Sequence, residues 1–467
     1  MTEEDLPDNN EETLALVKRF EEMLIADACY FFDVDQYEDI IDFYFDTNNL
    51  SKAILAIESA ITQYPYSIVF YLRKAQILGA TNQTQQALII LEQAESLEPS
   101  SCELHMTRGA LYSQMGLAES SIESYNRAAE NKENLDEIYL YIAFEYENIS
   151  KFTDAIFYLK QALELNPQNE AALYELAFCY ELCEDSEESV KYYSGFIDKY
   201  PYSHPAWFNL AVSYNRLQLY EKAITAYDYA IAIKPDFSSA YFNKANSLAN
   251  LERFDEAIFI YNETTLLEEP NATTYYYIGE CYEKKEDYHL ALINYNKAAK
   301  LDPLLADAWM GIGVSLDNQD RLTEGIHYIK KALELEKENP DFWHIFGEVE
   351  HKMGFFEEAE LAYKKVIELD PENSDVWLDY SNLLFEQENK TQGLETLSEG
   401  IKHHPNNAEL NYRMSAFLMS SGQKQEGLVF LQNALKLNYD KHEELFDYLP
   451  QLKENSDLLE FIESYKK

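Results

Sequence analysis

Cysteine is scarce in this 467-residue chain: Cys29, Cys102, Cys179, Cys183 and Cys281 are odd in number and widely scattered. That pattern builds no disulfide framework, so a reducing cytoplasm is the expected compartment. Glycine and proline are also few, 14 and 13, too few for the turns of a many-stranded protein. Basic residues are outnumbered, 37 against 84 acidic ones, giving a net charge of −47. A field of that sign repels phosphate backbones and anionic lipid, which argues against nucleic-acid and membrane-surface partners. It favours basic segments of other proteins, although acidity serves equally well to keep a large surface soluble. No apolar run approaches the ~18 residues of a membrane span. The first residues, MTEEDLPDNNEE, have neither the basic nor the apolar part of a secretory signal.

Aromatic residues and helix formers are abundant. There are 37 Tyr and 25 Phe, enough apolar bulk for a large core, set among Ala, Leu, Glu, Gln and Lys. The prolines are regularly placed. Pro65, Pro99, Pro167, Pro201, Pro235, Pro303, Pro371 and Pro405 stand 34 or 68 residues apart, with Pro270 one residue out of step. Two slots in the series hold Glu133 and Lys337 instead. A proline past a helix forbids its continuation, so the spacing marks helix ends at a fixed interval.

With that proline as position 32, twelve units of 34 residues run without insertion over residues 34–441, starting at Val34, Ile68, Cys102, Asp136, Glu170 and His204, then Ser238, Ala272, Ala306, Pro340, Ser374 and Ala408. Position 20 is always small, as in Ala53, Ala257 and Gly393, and position 8 is small in every unit except the first, where it is Ile41. Position 27 is usually Ala. Small residues let two helices approach, and large ones fill the grooves beside them. The large ones are Trp207, Trp309, Trp343 and Trp377 at position 4, and tyrosines such as Tyr180 and Tyr261 at positions 11 and 24. Gly116, Gly354 and Gly422 at position 15 supply the left-handed turn after the first helix.

These residues resemble the tetratricopeptide repeat (TPR), and the likeness covers residues 34–441. It implies an all-α fold, an α-solenoid of twelve helical hairpins, each with a helix A and a helix B, wound as a right-handed superhelix. Terminal helices must cover the apolar ends of such a stack. Residues 13–33, with Leu14, Val17, Phe20, Leu24 and Phe31 at helical spacing, are read as one cap, and residues 442–467 as the other. Residues 1–12 are read as an acidic disordered tail.

No stretch outside the repeats is long enough for a catalytic domain. No Gly-rich phosphate loop, G-x-S-x-G elbow or paired C-x-x-C is present, so the chain is not expected to be an enzyme or to hold a cofactor. His344, Glu348 and His351 share one face of a helix A and could converge on a metal. The H-E-x-x-H spacing of a zincin is absent and solvated side chains explain the pattern, so no metal is expected. Cys179 and Cys281 occupy the same repeat position, which points to a structural slot.

The resemblance implies that helix A positions 2, 5, 6, 9, 12 and 13 line a concave groove where partner segments lie. In the middle of the chain these positions hold Tyr141, Phe144, Tyr174, Phe178 and Phe208, followed by Phe242, Tyr276 and Tyr277. The amides Asn209, Asn243 and Asn246 stand beside them and suit a peptide backbone. They echo the family's carboxylate clamp, but its basic partners are missing. The first unit presents Asp35, Glu38, Asp39, Asp42 and Asp46 instead, an acidic mouth. The expected function is a protein–protein interaction adaptor or scaffold. The alternatives are a regulatory subunit gating one enzyme or signalling partner, and a self-assembling architectural subunit.

Overall fold

The computed structural model describes residues 11–26, 29–269 and 271–466, and every regular element among them is helical. Twelve helical hairpins follow one another, from Val34–Asp46 with Leu50–Gln63 to Ala408–Ser420 with Lys424–Leu437. Eleven of the twelve unit starts read from the proline spacing are the first residue of a helix A. The exception has a local cause. Where Glu133 replaces proline, the preceding helix Ala118–Ala129 stops short and Lys132 and Asn134 turn left-handed, so the next helix begins at Leu135.

Each helix A ends in the same turn. Position 15 has a positive φ in all twelve hairpins, and the next residue donates its N–H to the position-11 carbonyl, as Leu117 does to Tyr112 at 2.9 Å. This is the Schellman closure of a helix C-terminus. The sequence marks it with glycine only at Gly116, Gly354 and Gly422. The other nine hairpins place an L-residue there, at φ between 54° and 60°. They do so at about 1–2 kcal/mol each, because the left-handed region crowds Cβ.

At five junctions between hairpins, a Trp or Tyr at position 4 closes the seam. The indole N–H of Trp207, Trp309, Trp343 and Trp377 donates to the carbonyl six residues earlier, at 2.8, 3.0, 2.8 and 3.1 Å. Tyr71 donates its hydroxyl to the Pro65 carbonyl in the same way, at 3.1 Å. The acceptor of Trp343 is Lys337, at a slot that lacks proline.

Within a hairpin, the small residue at position 8 makes room for the ring at position 24. A Cβ added to Gly109 would lie 2.5 Å from the Tyr125 ring, and one added to Gly347 2.7 Å from Tyr363. The first hairpin exchanges this pair for Ile41 and Ile57, both buried, so the volume is shared differently across the same seam.

The chain forms two compact units, Met1–Pro235 and Asp236–Lys467. In the first, the helix Glu11–Ala26 buries Val17, Phe20 and Met23 against the first hairpin, and Glu21 is ion-paired to Lys52 at 2.5 Å. Its buried face follows Met23 and Phe32. Leu14, Leu24 and Phe31, expected on that face, are exposed. The expected tail lies outside the described residues as far as residue 10, and residues 11 and 12 are already helical. In the second unit, Glu444–Tyr448 and Ser456–Glu463 bury Leu445, Phe446, Leu458 and Ile462 in one core with Tyr412 and Leu431. No helix among the described residues is long and apolar enough to cross a membrane.

Candidate functional site

In the first unit, four of the expected groove residues converge. Tyr174, Phe178, Phe208 and Asn209 line a cleft of about 190 Å³ between the helices Glu170–Leu182 and His204–Arg216. The rings of Tyr174 and Phe208 meet edge-on at 6.3 Å, and Phe178 is half exposed. An ion pair between Glu181 and Arg216 forms part of the lining. Asn209 differs from its expected role. It is 2% exposed, and its Nδ2 donates to the Leu173 carbonyl at 2.9 Å, the same oxygen that takes the Tyr193 hydroxyl at 2.6 Å. Its amide N–H is already engaged in joining neighbouring hairpins.

Tyr141 belongs to another cleft. It stacks on Tyr125 at 5.6 Å and lines a hollow of about 420 Å³ with Gln76, Met106, Thr107, Ala110 and Gln114. A search for aromatics passes over these residues, because their small and flexible side chains are what leave the space. Phe144 packs on the core around Leu140 and Tyr180. Nearby, the buried Cys179 thiol donates to Glu147 at 3.3 Å. Burial, reinforced by Glu175, pushes the Glu147 carboxyl up to about 7. The Cys179 and Cys281 thiols are both raised, chiefly by burial, so neither is a ready thiolate.

In the second unit, Phe242, Tyr261 and Tyr277 form an aromatic cluster with centroids 5.6–6.0 Å apart, and Tyr276 joins it through Tyr277 at 5.3 Å. Phe242, Tyr276 and Tyr277 are half-buried, so the same rings pack neighbouring helices together and face outward. Asn243 donates to the Ser239 carbonyl one turn earlier at 2.9 Å, and Asn246 accepts from the Tyr261 hydroxyl. Beside them the carboxyls of Glu280, Glu283 and Asp307 are held above the usual range, first by burial and then by neighbouring acids.

The three residues His344, Glu348 and His351 do not converge. His344 Nε2 lies 2.8 Å from Oδ2 of Asp379, on the next helix A, and His351 Nε2 lies 2.8 Å from Oε2 of Glu386. Asp379, which no single-helix pattern singles out, stands where His351 was expected. One ligand atom each from His344, Glu348 and Asp379 lies within 4.8 Å of the others. Burial opposes protonation of His344, but Asp379, Glu348 and Asp375 outweigh it and raise its pKa. Both histidines reach a residue 35 positions on, and Lys352 with Asp317, like Arg216 with Glu181, spans the same interval.

Models of the tetratricopeptide repeat match residues 68–101, 150–211, 204–237, 238–269, 272–303, 306–339 and 347–412. They describe a repeat and no catalytic domain. No curated protein matches the sequence. Among solved structures, the APC/C heterotetramer Cut9–Hcn1 is 14% identical over 90% of this chain and 93% of that one, with a TM-score of 0.43. YrrB, described as a TPR protein with an unusual peptide-binding site, is 21% identical over 39% of this chain and 93% of its own, with a TM-score of 0.33. The C-terminal part of a TPR repeat-containing protein from Cytophaga hutchinsonii is 19% identical over 52% and 99%, with a TM-score of 0.42.

Proposed function

This chain belongs to the tetratricopeptide-repeat family, whose models match it in stretches between residues 68 and 412, and on that premise we propose that it is a protein–protein interaction scaffold holding partner segments against its A helices. The observation that carries the reading is the cleft of Tyr174, Phe178 and Phe208. It pairs half-exposed aromatic anchors with a lining ion pair, Glu181 and Arg216. Rigid rings bury area at low entropic cost, and charges fix register.

In the second unit the favoured segment is basic. Glu280, Glu283 and Asp307 are partly buried beside Tyr276 and Tyr277, and a lysine or arginine brought among them relieves their crowding. Asp35, Glu38 and Asp39 of the first hairpin favour the same charge.

The test is affinity capture from native extract with cross-linking mass spectrometry, comparing wild type with Phe178→Ala. Phe178 is 47% exposed, so its truncation leaves the fold in place. Partners cross-linked to the Glu170–Leu182 helix should be captured about ten-fold less well, as for a hot-spot anchor. Undiminished capture by the folded variant refutes the cleft. Asn209→Ala is no substitute, since it removes a buried structural bond.

A further inference from the structure

We propose that His344, Glu348 and Asp379 form a binding site for a divalent transition-metal ion of the zinc class, held between two successive A helices of the second unit. His344 and Glu348 lie four residues apart and so share one face of the helix Pro340–Lys352. Asp379 comes from the adjoining helix Ser374–Glu386. The nearest ligand atoms of the three are within 4.8 Å of one another. A zinc ion about 2.0–2.2 Å from each would hold them roughly 3.4 Å apart, so closure requires a shift of about 1.4 Å at most. Glu348 is exposed and has three rotatable bonds to supply it. His344 Nε2 and Asp379 Oδ2, now 2.8 Å apart, must open by roughly 0.6 Å to admit the ion in place of their hydrogen bond.

The donor set selects the class. One imidazole nitrogen with two carboxylates is a borderline set that suits Zn²⁺, Co²⁺ or Ni²⁺, whereas Ca²⁺ and Mg²⁺ require an all-oxygen shell of six or more ligands. Three protein ligands leave a coordination position open to water. The surroundings also favour a cation. The Glu348 and Asp379 carboxylates stand side by side, and Lys352, on the same helix as Glu348, is already paired with Asp317 at 2.7 Å. A dication at the centre removes that like-charge crowding.

The molecule carries its own control. His351 and Glu386 repeat the geometry of His344 and Asp379, at the same 2.8 Å and the same 35-residue interval, without a third ligand among the described residues. The cluster stands whether or not the A helices bind partner segments.

The experiment is a calorimetric titration of the full chain with Zn²⁺, combined with hydrogen exchange read by mass spectrometry. We expect a site whose occupation protects peptides from both Pro340–Lys352 and Ser374–Glu386. An outer-shell partner alone is worth about 10–100-fold in metal affinity, so His344→Gln and Asp379→Asn should each weaken the site at least about ten-fold. Glu348→Gln, at an exposed position, should do the same with metal-free exchange unchanged. His351→Gln should leave affinity and protection as in wild type. Cys29 and Cys183, exposed in every variant, cancel from the comparison. Equal Zn²⁺ affinity in wild type and Glu348→Gln, protection confined to other helices, or equal filling by Ca²⁺ would overturn the assignment.

Discussion

Replacing glycine by alanine should have opposite effects at two places where the added methyl touches nothing. Gly354 sits at φ +80° in the turn between Pro340–Lys352 and Phe356–Leu369, and Gly195 lies inside the helix Ser186–Lys199. A Cβ built on either meets no atom within 4 Å, so packing contributes nothing and only the backbone decides. At Gly354 the left-handed conformation costs an L-residue about 1–2 kcal/mol, partly offset by ~0.4–1 kcal/mol of entropy removed from the unfolded chain. The net expectation is a loss of about 1 kcal/mol. At Gly195 the helical backbone accepts alanine, and propensity gives a gain of about 0.8–1 kcal/mol. The two variants should therefore differ by about 2 kcal/mol, roughly 30-fold in a local opening constant. Neighbour-only contacts make global unfolding a poor measure for such a stack, so hydrogen exchange on peptides from each hairpin is the appropriate assay. Slower exchange around residue 195 and faster exchange around 354 is the expected result. A shift of the same sign at both sites would refute the argument that the turn's φ sets the cost.

The converse substitution, Glu388→Gly at φ 60°, should stabilise its hairpin by up to about 1 kcal/mol in the same assay. Ala257→Leu, at a position with no exposure, should overpack its hairpin seam and cost about 1–3 kcal/mol, visible as faster exchange in the Phe254–Leu267 helix. Trp343→Phe keeps a ring but loses the N–H to the Lys337 carbonyl; about 0.5–1.5 kcal/mol of protection should disappear at that junction. The Glu147 carboxyl, raised to about 7 in the fold, keeps its proton between about pH 4.5 and 7 while the unfolded chain loses it. Its contribution is thus fully present below that window and lost as pH rises through 7. The hairpin of Glu147 should open more readily at pH 8 than at pH 5, and Glu147→Gln should flatten the difference. Glu175 and the Cys179 thiol are the titratable groups that face it.

The repeat was legible because its signals are steric and local. Proline after a helix, a small residue where two backbones meet and a ring beside it recur at fixed positions along the chain. What was not legible depends on contacts between hairpins. Asn209 stands at a groove position, yet its amide N–H donates inward to the Leu173 carbonyl and the Tyr193 hydroxyl of the preceding hairpin. His344 finds Asp379 because position 5 of one helix A faces position 6 of the next, an interval of 35 residues that a search along one helix misses. Nine of the twelve left-handed turns carry no glycine to announce them, since the packing of helix B on helix A outweighs a cost of about 1–2 kcal/mol. At the N-terminus the buried face runs through Met23, a residue away from the exposed Leu24, a difference that helical periodicity alone resolves poorly.

The bond that a Trp or Tyr at position 4 makes at five of the junctions has a consequence for how such a chain can be rearranged. The Trp or Tyr at position 4 donates to a main-chain carbonyl, an atom that every amino acid carries, and Lys337 accepts as well as Pro303 or Pro371. Recognition at the seam is therefore indifferent to the side chain on its far side. A cassette of 34 residues that carries such a Trp or Tyr brings its own donor when it is duplicated or transplanted whole, and meets an acceptor already in place. With such cassettes the array can change length or order in whole steps, without a matching mutation in the neighbour.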